Sequence, residues 1–125
     1  MFRVGKEERL YQPGETVVVP PGTPHLWWNP GDQVVDALIQ FRPALDTETF
    51  FENFFGLARD GKVGRNGLPS ALQMMVFARD YHREMQLPGS RQRVLYPLAV
   101  MLAPVARALG YKGRYDQYSA PPALE

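Results

Sequence analysis

A corner rich in proline and glycine, lying between two β-prone runs in residues 14–29, constrains the fold of this chain more than any other stretch. Val17–Val19 is a β-branched run and His25–Trp28 is an aromatic-rich one, so both favour extended strands. Pro21 and Gly22 suit the central positions of a type II turn, because proline presets the first φ angle and glycine accepts the positive second one. The stretch therefore predicts a short hairpin whose corner fixes where His25 emerges.

Side chains alternate along the second strand of this hairpin. His25, Trp27 and Asn29 are therefore expected on one face of the strand, and Leu26 and Trp28 on the other. Taken alone, the residue types favour packing roles for the two tryptophans, one of them lining a cavity. Asparagine at a chain reversal commonly bonds turn backbone groups, which is the role expected of Asn29.

The spacing of five residues in this stretch resembles the second of the two sequence motifs of the cupin superfamily: Gly14, Pro20, Gly22, His25 and Asn29. The resemblance implies a small antiparallel β-barrel or jelly roll, and in that family the histidine of the motif is one ligand of a divalent metal inside the barrel. It makes His25 the candidate metal ligand and Trp27 and Asn29 candidate pocket residues. The metal implied is Fe, Mn, Zn or Ni.

The first cupin motif, a His-x-His pair followed by a glutamate and a glycine, has no counterpart in this chain. Met1–Val4 resembles the strand that directly follows that motif, so we expect an N-terminally truncated small cupin, or a fragment of a longer one. In-frame codons for the missing ligands upstream of Met1 would return partners to His25. Protein sites normally supply three or four ligands, so His25 alone leaves the set incomplete, and the chain is also compatible with no metal at all.

Strand and helix signals occupy different parts of the chain. Five short strands are expected within residues 1–43, because extended runs alternate with glycine or proline turns; Gln33–Arg42 alternates most cleanly. Three helices are expected after Pro43, at about residues 46–60, 69–85 and 91–109, the last with a broad apolar stripe of Val94, Leu98, Met101, Leu102, Val105 and Leu109. Residues 111–125 are expected to wrap the surface or fray. The predicted class is α+β: a partial cupin-type barrel of about five strands (1–43) followed by a helical extension (44–125), together forming a single domain.

Composition limits the classes of partner. The net charge is +1, from 14 basic and 13 acidic residues, which gives no electrostatic footprint for nucleic acid or an anionic membrane. The longest uncharged apolar run, residues 94–106, is shorter than the roughly 20 residues that span a bilayer. There is no cysteine and no apolar signal segment, so we expect a cytoplasmic protein without disulfides.

Two functional hypotheses follow from these features. The first is a cupin-type module that binds a small organic ligand and a divalent metal, with an incomplete ligand set. The second is a non-catalytic interaction protein whose open sheet edge is completed by a partner chain, most simply in a homodimer. The sequence identifies no catalytic residue and leaves enzymatic activity undecided, because it contains no nucleophile elbow, phosphate-binding loop or His-Glu-x-x-His pattern.

Overall fold

The computed structural model describes residues 1–86 and 89–119, and the chain divides into two compact units, Met1–Ile39 and Gln40–Glu125. The N-terminal unit contains the strands β1 (Phe2–Val4), β2 (Glu7–Arg9) and β3 (His25–Trp27). The C-terminal unit contains the helices α1 (Thr47–Arg59), α2 (Ala71–Asp80) and α3 (Ser90–Ala108).

The three strands form one antiparallel sheet in the order β2-β1-β3. In the register of the sheet, Phe2 lies opposite Arg9 on one side and Trp27 on the other. A turn at Gly5 and Lys6 joins β1 to β2, and Gly5 has a φ of 61°, a backbone conformation that glycine adopts cheaply. β1 is thus the central strand, and β2 and β3 are the two edges.

The predicted five-strand barrel is wrong. Within the described residues the chain has three short strands in an open sheet, and neither residues 14–19 nor Gln33–Arg42 form a strand. Val34 and Leu38 are 89% and 90% exposed. Alternation specifies which side chains share a face, but a strand also needs a neighbour that accepts its backbone hydrogen bonds. The α+β class and the three helices are confirmed.

The helices of the C-terminal unit bury apolar side chains at helical spacing. Phe50 and Leu57 of α1 pack with Phe77 and Tyr81 in one cluster, where the Phe50 and Phe77 rings meet edge to face at 5.6 Å. Ser70 caps α2 by accepting a hydrogen bond from the Gln73 backbone N–H at 3.3 Å. α2 ends at Asp80, about five residues earlier than predicted.

α3 contacts α2 through small residues. Ala99, Ala103 and Ala106 are fully buried, and Val76 of α2 packs against the last two. The predicted stripe of large apolar residues lies elsewhere on α3 and is largely exposed, with Met101 at 63%. The alanine seam allows two helix backbones to approach closely, which large side chains would prevent.

The segment after α3 wraps the helices through buried polar contacts. Asn53 of α1 is fully buried and its side chain donates to Ser119 Oγ at 2.7 Å and accepts from the Tyr115 backbone N–H at 2.6 Å. Gln73 of α2 donates to the Lys112 carbonyl at 2.8 Å. The predicted wrapping is therefore confirmed for residues 111–119, while residues 120–125 lie outside the described part of the chain.

Candidate functional site

The N-terminal unit lacks a buried core: every residue of Met1–Ile39 is partly or fully exposed. Its large apolar side chains are in solvent, with Leu26 at 54% and Trp27 at 50% exposure. A sheet of this size usually needs an apolar face packed against something in order to be stable. The open sheet is therefore the part of the molecule with the most surface left to cover.

One face of the sheet is apolar at β1 and β3, and we call Phe2, Val4, His25 and Trp27 the apolar face. These four residues form two cross-strand pairs, Phe2 with Trp27 and Val4 with His25. The Phe2 and His25 rings are stacked, with centroids 6.4 Å apart and planes 9° from parallel. The alternation predicted for His25 and Trp27 is confirmed by this register.

The opposite face of the sheet is mixed, with a charged pair beside two apolar side chains. Arg3 forms an ion pair with Glu8 at 2.6 Å, and its guanidinium lies 5.6 Å from the centre of the Trp28 ring. Leu26 lies opposite Arg3 across the strands. The two faces therefore differ in chemistry, and the apolar one has more to gain from being covered.

The two edges of the sheet also differ. β2 consists of Glu7, Glu8 and Arg9, and charged side chains of this kind discourage pairing with another strand. β3 consists of His25, Leu26 and Trp27 and has no side chain that is always charged. β3 is thus the unprotected edge.

Hydrogen bonds along β1 establish which backbone groups of β3 face outward. The Trp28 N–H donates to the Met1 carbonyl at 3.1 Å, and the Gly5 N–H donates to the Pro24 carbonyl at 2.8 Å. Inward and outward positions alternate in an antiparallel pair, so Leu26 also faces β1. The N–H and C=O groups of His25 and Trp27 therefore point away from the sheet, toward a strand that could be added.

His25 is positioned by the predicted turn. The Thr23 N–H donates to the Pro20 carbonyl at 3.2 Å, and Gly22 has a φ of 73°. His25 Nδ1 lies 3.1 Å from the Thr23 carbonyl, which can only accept, so Nδ1 carries a proton and Nε2 is the ring nitrogen that does not make this contact. The ring lies on an exposed edge strand instead of inside a barrel.

Asn29 lies beyond the end of β3 and closes the next turn. Its amide donates to the Gln33 carbonyl at 2.6 Å, and its side-chain oxygen accepts from the Gly31 N–H at 3.1 Å. This confirms the turn role, and it commits both polar ends of the side chain to backbone groups. The structure thus brings Trp27 to the face of His25, whereas Asn29 serves the turn.

The side chains near His25 do not fit a mononuclear metal site. Over residues 1–86 and 89–119, no three His, Cys, Asp or Glu side chains are grouped so that they could hold an ion. The exposed imidazole offers one nitrogen where three or four ligands are usual. No metal-dependent step is therefore derived for this chain.

Concavities in the described part of the C-terminal unit lie beside α1 and α2. A shallow groove of about 660 Å³ lies along α1, lined by Glu48, Phe51, Glu52, Phe55, Gly56, Arg59 and Tyr118. A smaller one of about 270 Å³ is lined by Leu57, Lys62, Ser70, Gln73, Tyr111 and Tyr115. The polar groups of the smaller one serve packing: the Tyr115 hydroxyl donates to Gln73 Oε1 at 2.7 Å.

Tyr118 stabilises two charged side chains beside these concavities, Asp60 and Lys62. Its hydroxyl donates a hydrogen bond to Asp60, which lowers the pKa of that carboxyl, and its hydrogen bond with Lys62 raises the pKa of the ammonium group. Both charged forms are thereby favoured. This small surface network ties the segment after α3 to the end of α1.

Sequence reasoning predicted the apolar stripe of α3 but not that it is exposed, and it missed the acidic and aromatic stripe of α1. Both were visible as residues recurring every three or four positions, but periodicity alone cannot tell a buried stripe from an exposed one. Among the described helices, none combines the length and apolar character needed to cross a bilayer. Comparison of the chain with models of protein families, with curated proteins and with solved structures finds no match.

Proposed function

We propose that this protein is a non-catalytic self-association module whose open N-terminal sheet is completed by the β3 edge of a second copy. The observation that carries the proposal is the contrast between the two edges: β2 is charged, whereas β3 has no side chain that is always charged and borders the apolar face. An unprotected edge next to uncovered apolar side chains favours pairing with another strand.

The backbone geometry suits a two-fold antiparallel pairing of β3 with itself, centred on Leu26. His25 of one copy would then lie opposite Trp27 of the second copy, and their outward N–H and C=O groups would form about four hydrogen bonds across the edge. The two Leu26 side chains would face each other in a pair without hydrogen bonds, where side chains approach most closely. The apolar face would continue without a break across four strands, β1 and β3 of each copy.

Self-pairing through β3 would also limit the addition of strands to the sheet to two copies. A two-fold contact uses the same edge of both chains, so the dimer keeps only its two β2 edges. Each β2 edge carries Glu7, Glu8 and Arg9. The charged edges limit further addition of strands.

The test uses Leu26→Lys with Leu10→Lys as its matched control. Both leucines are about half exposed, at 54% and 49%, but Leu10 follows β2 at the opposite edge of the sheet. Lysine at position 26 would place two like charges directly opposite each other in the dimer. In sedimentation equilibrium we expect the wild-type chain and Leu10→Lys to dimerise with equal dissociation constants, and Leu26→Lys to raise that constant at least tenfold.

Two results would contradict the proposal. One is a wild-type mass that stays at that of a single chain over the whole concentration series. The other is an equal loss of association in Leu26→Lys and Leu10→Lys, since that would make the effect a general consequence of added charge.

A second candidate function is binding of a small organic acid at the apolar face. The observation that favours it is the His25 ring, whose Nε2 is directed by the Nδ1 contact with Thr23 and which stacks on Phe2 beside Trp27. A planar carboxylate such as benzoate would contact the aromatic rings, and it would accept a hydrogen bond from Nε2 when that nitrogen also carries a proton. NMR titration with benzoate should shift the His25 ring signals and leave those of His82 unchanged; equal or absent shifts would exclude this site.

A further inference from the structure

We infer that the C-terminal unit carries a second contact between copies, in which the exposed side of α3 docks on the acidic and aromatic side of α1 of another copy. This contact is separate from the sheet edge. The inference rests on the proposed function in one respect, namely that copies of the chain associate. It concerns different residues in a different unit. It can therefore fail or hold independently of the β3 edge.

The outer face of α3 is a continuous apolar surface. It consists of residues three or four positions apart: Val94, Pro97, Leu98, Met101, Pro104, Val105 and Leu109. Val94, Met101, Val105 and Leu109 are 69%, 63%, 54% and 66% exposed, and the face extends over about four turns, roughly 22 Å of helix. Spacing of this kind is what helices use to pack against another helix.

α2 does not cover this face, because it packs against the other side of α3. Ala103 and Ala106 are fully buried there, and Val76 lies against them. α3 therefore has two apolar sides, one satisfied by small residues within the chain and one of large residues left in solvent. A helix that is apolar on two sides usually packs against two neighbours.

The charges of α3 indicate what kind of helix would cover it. Arg91, Arg93 and Arg107 are its only charged residues, and all are exposed. Arg107 forms an ion pair with Asp80 of α2 at 2.5 Å, so the arginines that lie beside the outer face on a helical projection are Arg91 and Arg93, near its N-terminal end. A partner helix with carboxylates near these two arginines is therefore favoured.

The outward side of α1 has that composition. Glu48, Phe51, Glu52 and Phe55 recur at helical spacing along the 660 Å³ groove, and the Phe51 and Phe55 rings stack with centroids 5.7 Å apart. Phe55 is 61% exposed. The two phenyl rings of α1 complement the apolar side chains of α3, and the two carboxylates beside the rings complement the arginines of α3.

The charge order sets the direction of the contact. Glu48 and Glu52 lie in the N-terminal half of α1, while Arg59 ends it. A parallel arrangement puts Arg91 and Arg93 of α3 next to those glutamates. An antiparallel arrangement would put the same arginines next to Arg59, so the parallel one is favoured.

The experiment reverses each set of charges and then both. In the Leu26→Lys background, which removes the sheet contact, we compare Glu48→Arg/Glu52→Arg, Arg91→Glu/Arg93→Glu and the four-fold swap by sedimentation velocity at low salt. Each double reversal should weaken the remaining association at least tenfold, and the four-fold swap should restore most of it. The control Arg65→Glu/Arg83→Glu makes the same charge change at exposed arginines outside both faces and should have no effect.

Three outcomes would overturn the inference. The first is a Leu26→Lys chain that stays single at every concentration, which leaves the sheet contact standing. The second is a four-fold swap that does not restore association. The third is sedimentation with vesicles of phosphatidylserine and phosphatidylcholine that is lost in Arg91→Glu/Arg93→Glu but kept in Glu48→Arg/Glu52→Arg, because this would assign the α3 face to a lipid surface. Conversely, wild-type association that resists Leu26→Lys but is lost on charge reversal would support this contact and reject the proposed one.

Discussion

Gly56 of α1 is the residue against which Tyr118, in the segment after α3, packs. It is buried, and a Cβ added to it would meet the ring of Tyr118, with Cδ1 at 2.6 Å and Cδ2 at 2.8 Å. Alanine inside a helix is normally more stable than glycine by about 0.5–1 kcal/mol. Here we expect Gly56→Ala to lower the free energy of unfolding by about 1–3 kcal/mol, because the clash with the ring exceeds that gain.

A double-mutant cycle measured by urea denaturation checks this prediction. With Tyr118→Ala as the background, the obstructing ring is gone, and Gly56→Ala should stabilise the chain by its ordinary helical preference. The sign of the substitution therefore reverses between the two backgrounds. The same sign in both would mean that Tyr118 does not pack on the α1 backbone.

Tyr81 is a buried phenol whose hydroxyl donates to the Gly113 carbonyl at 2.8 Å. Its pKa is raised to about 12, chiefly by burial and to a smaller extent by the nearby carboxylates of Asp80 and Asp46. Because the folded pKa lies above the unfolded value of about 10, the stabilisation is complete below pH 10 and is lost as the pH rises toward 12. Absorbance at 295 nm should show one tyrosine ionising late, and Tyr81→Phe should remove that late step.

Urea denaturation over the same pH range measures the effect of this ionisation on the free energy of unfolding. Between pH 10 and pH 12 the free energy of unfolding of the wild-type chain should fall more steeply than that of Tyr81→Phe. Parallel curves would mean that the phenol titrates alike in the folded and unfolded chain.

The residues whose roles were predicted correctly form hydrogen bonds with groups close to them in the sequence. Asn29 bonds backbone groups two and four positions away, and His25 is oriented by Thr23, two positions before it. Asn53 could not be placed in this way, because its partners Tyr115 and Ser119 lie 62 and 66 positions away. A buried amide of this kind is recognisable only once the tertiary contact is known.

The secondary-structure elements were predictable to the extent that they are stabilised by their own chain segment. α1 and α3 begin and end within two residues of the predicted positions, since helices form their hydrogen bonds internally. Gln33–Arg42 alternates more regularly than any helix stripe and still forms no strand, because its hydrogen bonds need a neighbour. The cupin-like spacing likewise specifies the turn before His25 but does not supply the strands that would close a barrel.

Substitutions in α3 test how closely its buried alanines pack against α2. Ala103 is fully buried against α2, whereas Ala108, five positions later on the same helix, is exposed. Ala103→Leu would force the two helices apart and should lower the free energy of unfolding by about 1–3 kcal/mol, whereas Ala108→Leu should change it by less than about 0.5 kcal/mol. Equal effects in thermal or urea denaturation would show that α2 and α3 do not approach as closely as the seam indicates.

At the scale of the whole molecule, the chain combines one unit with a packed interior and one without. Phe77 and Val76 are completely buried in the C-terminal unit, while no side chain of Met1–Ile39 is buried. Apolar burial contributes about 25 cal/mol per Å², so the N-terminal unit gains little of it within a single copy. Its order should therefore depend on association, whereas that of the helices should not.

Amide hydrogen exchange over a concentration series tests this dependence directly. At low concentration the amides of residues 1–39 should exchange quickly, because a sheet of three short strands opens readily, and those of α1, α2 and α3 should be protected. As the concentration rises, the amides of His25 and Trp27 should gain protection most, since their N–H groups point outward from β3 and would become bonded in the dimer. Leu26→Lys should abolish that gain and leave the helices unchanged. If His25 and Trp27 were equally protected at every concentration in both chains, the N-terminal sheet would be stable without a second copy, and the edge would need no partner.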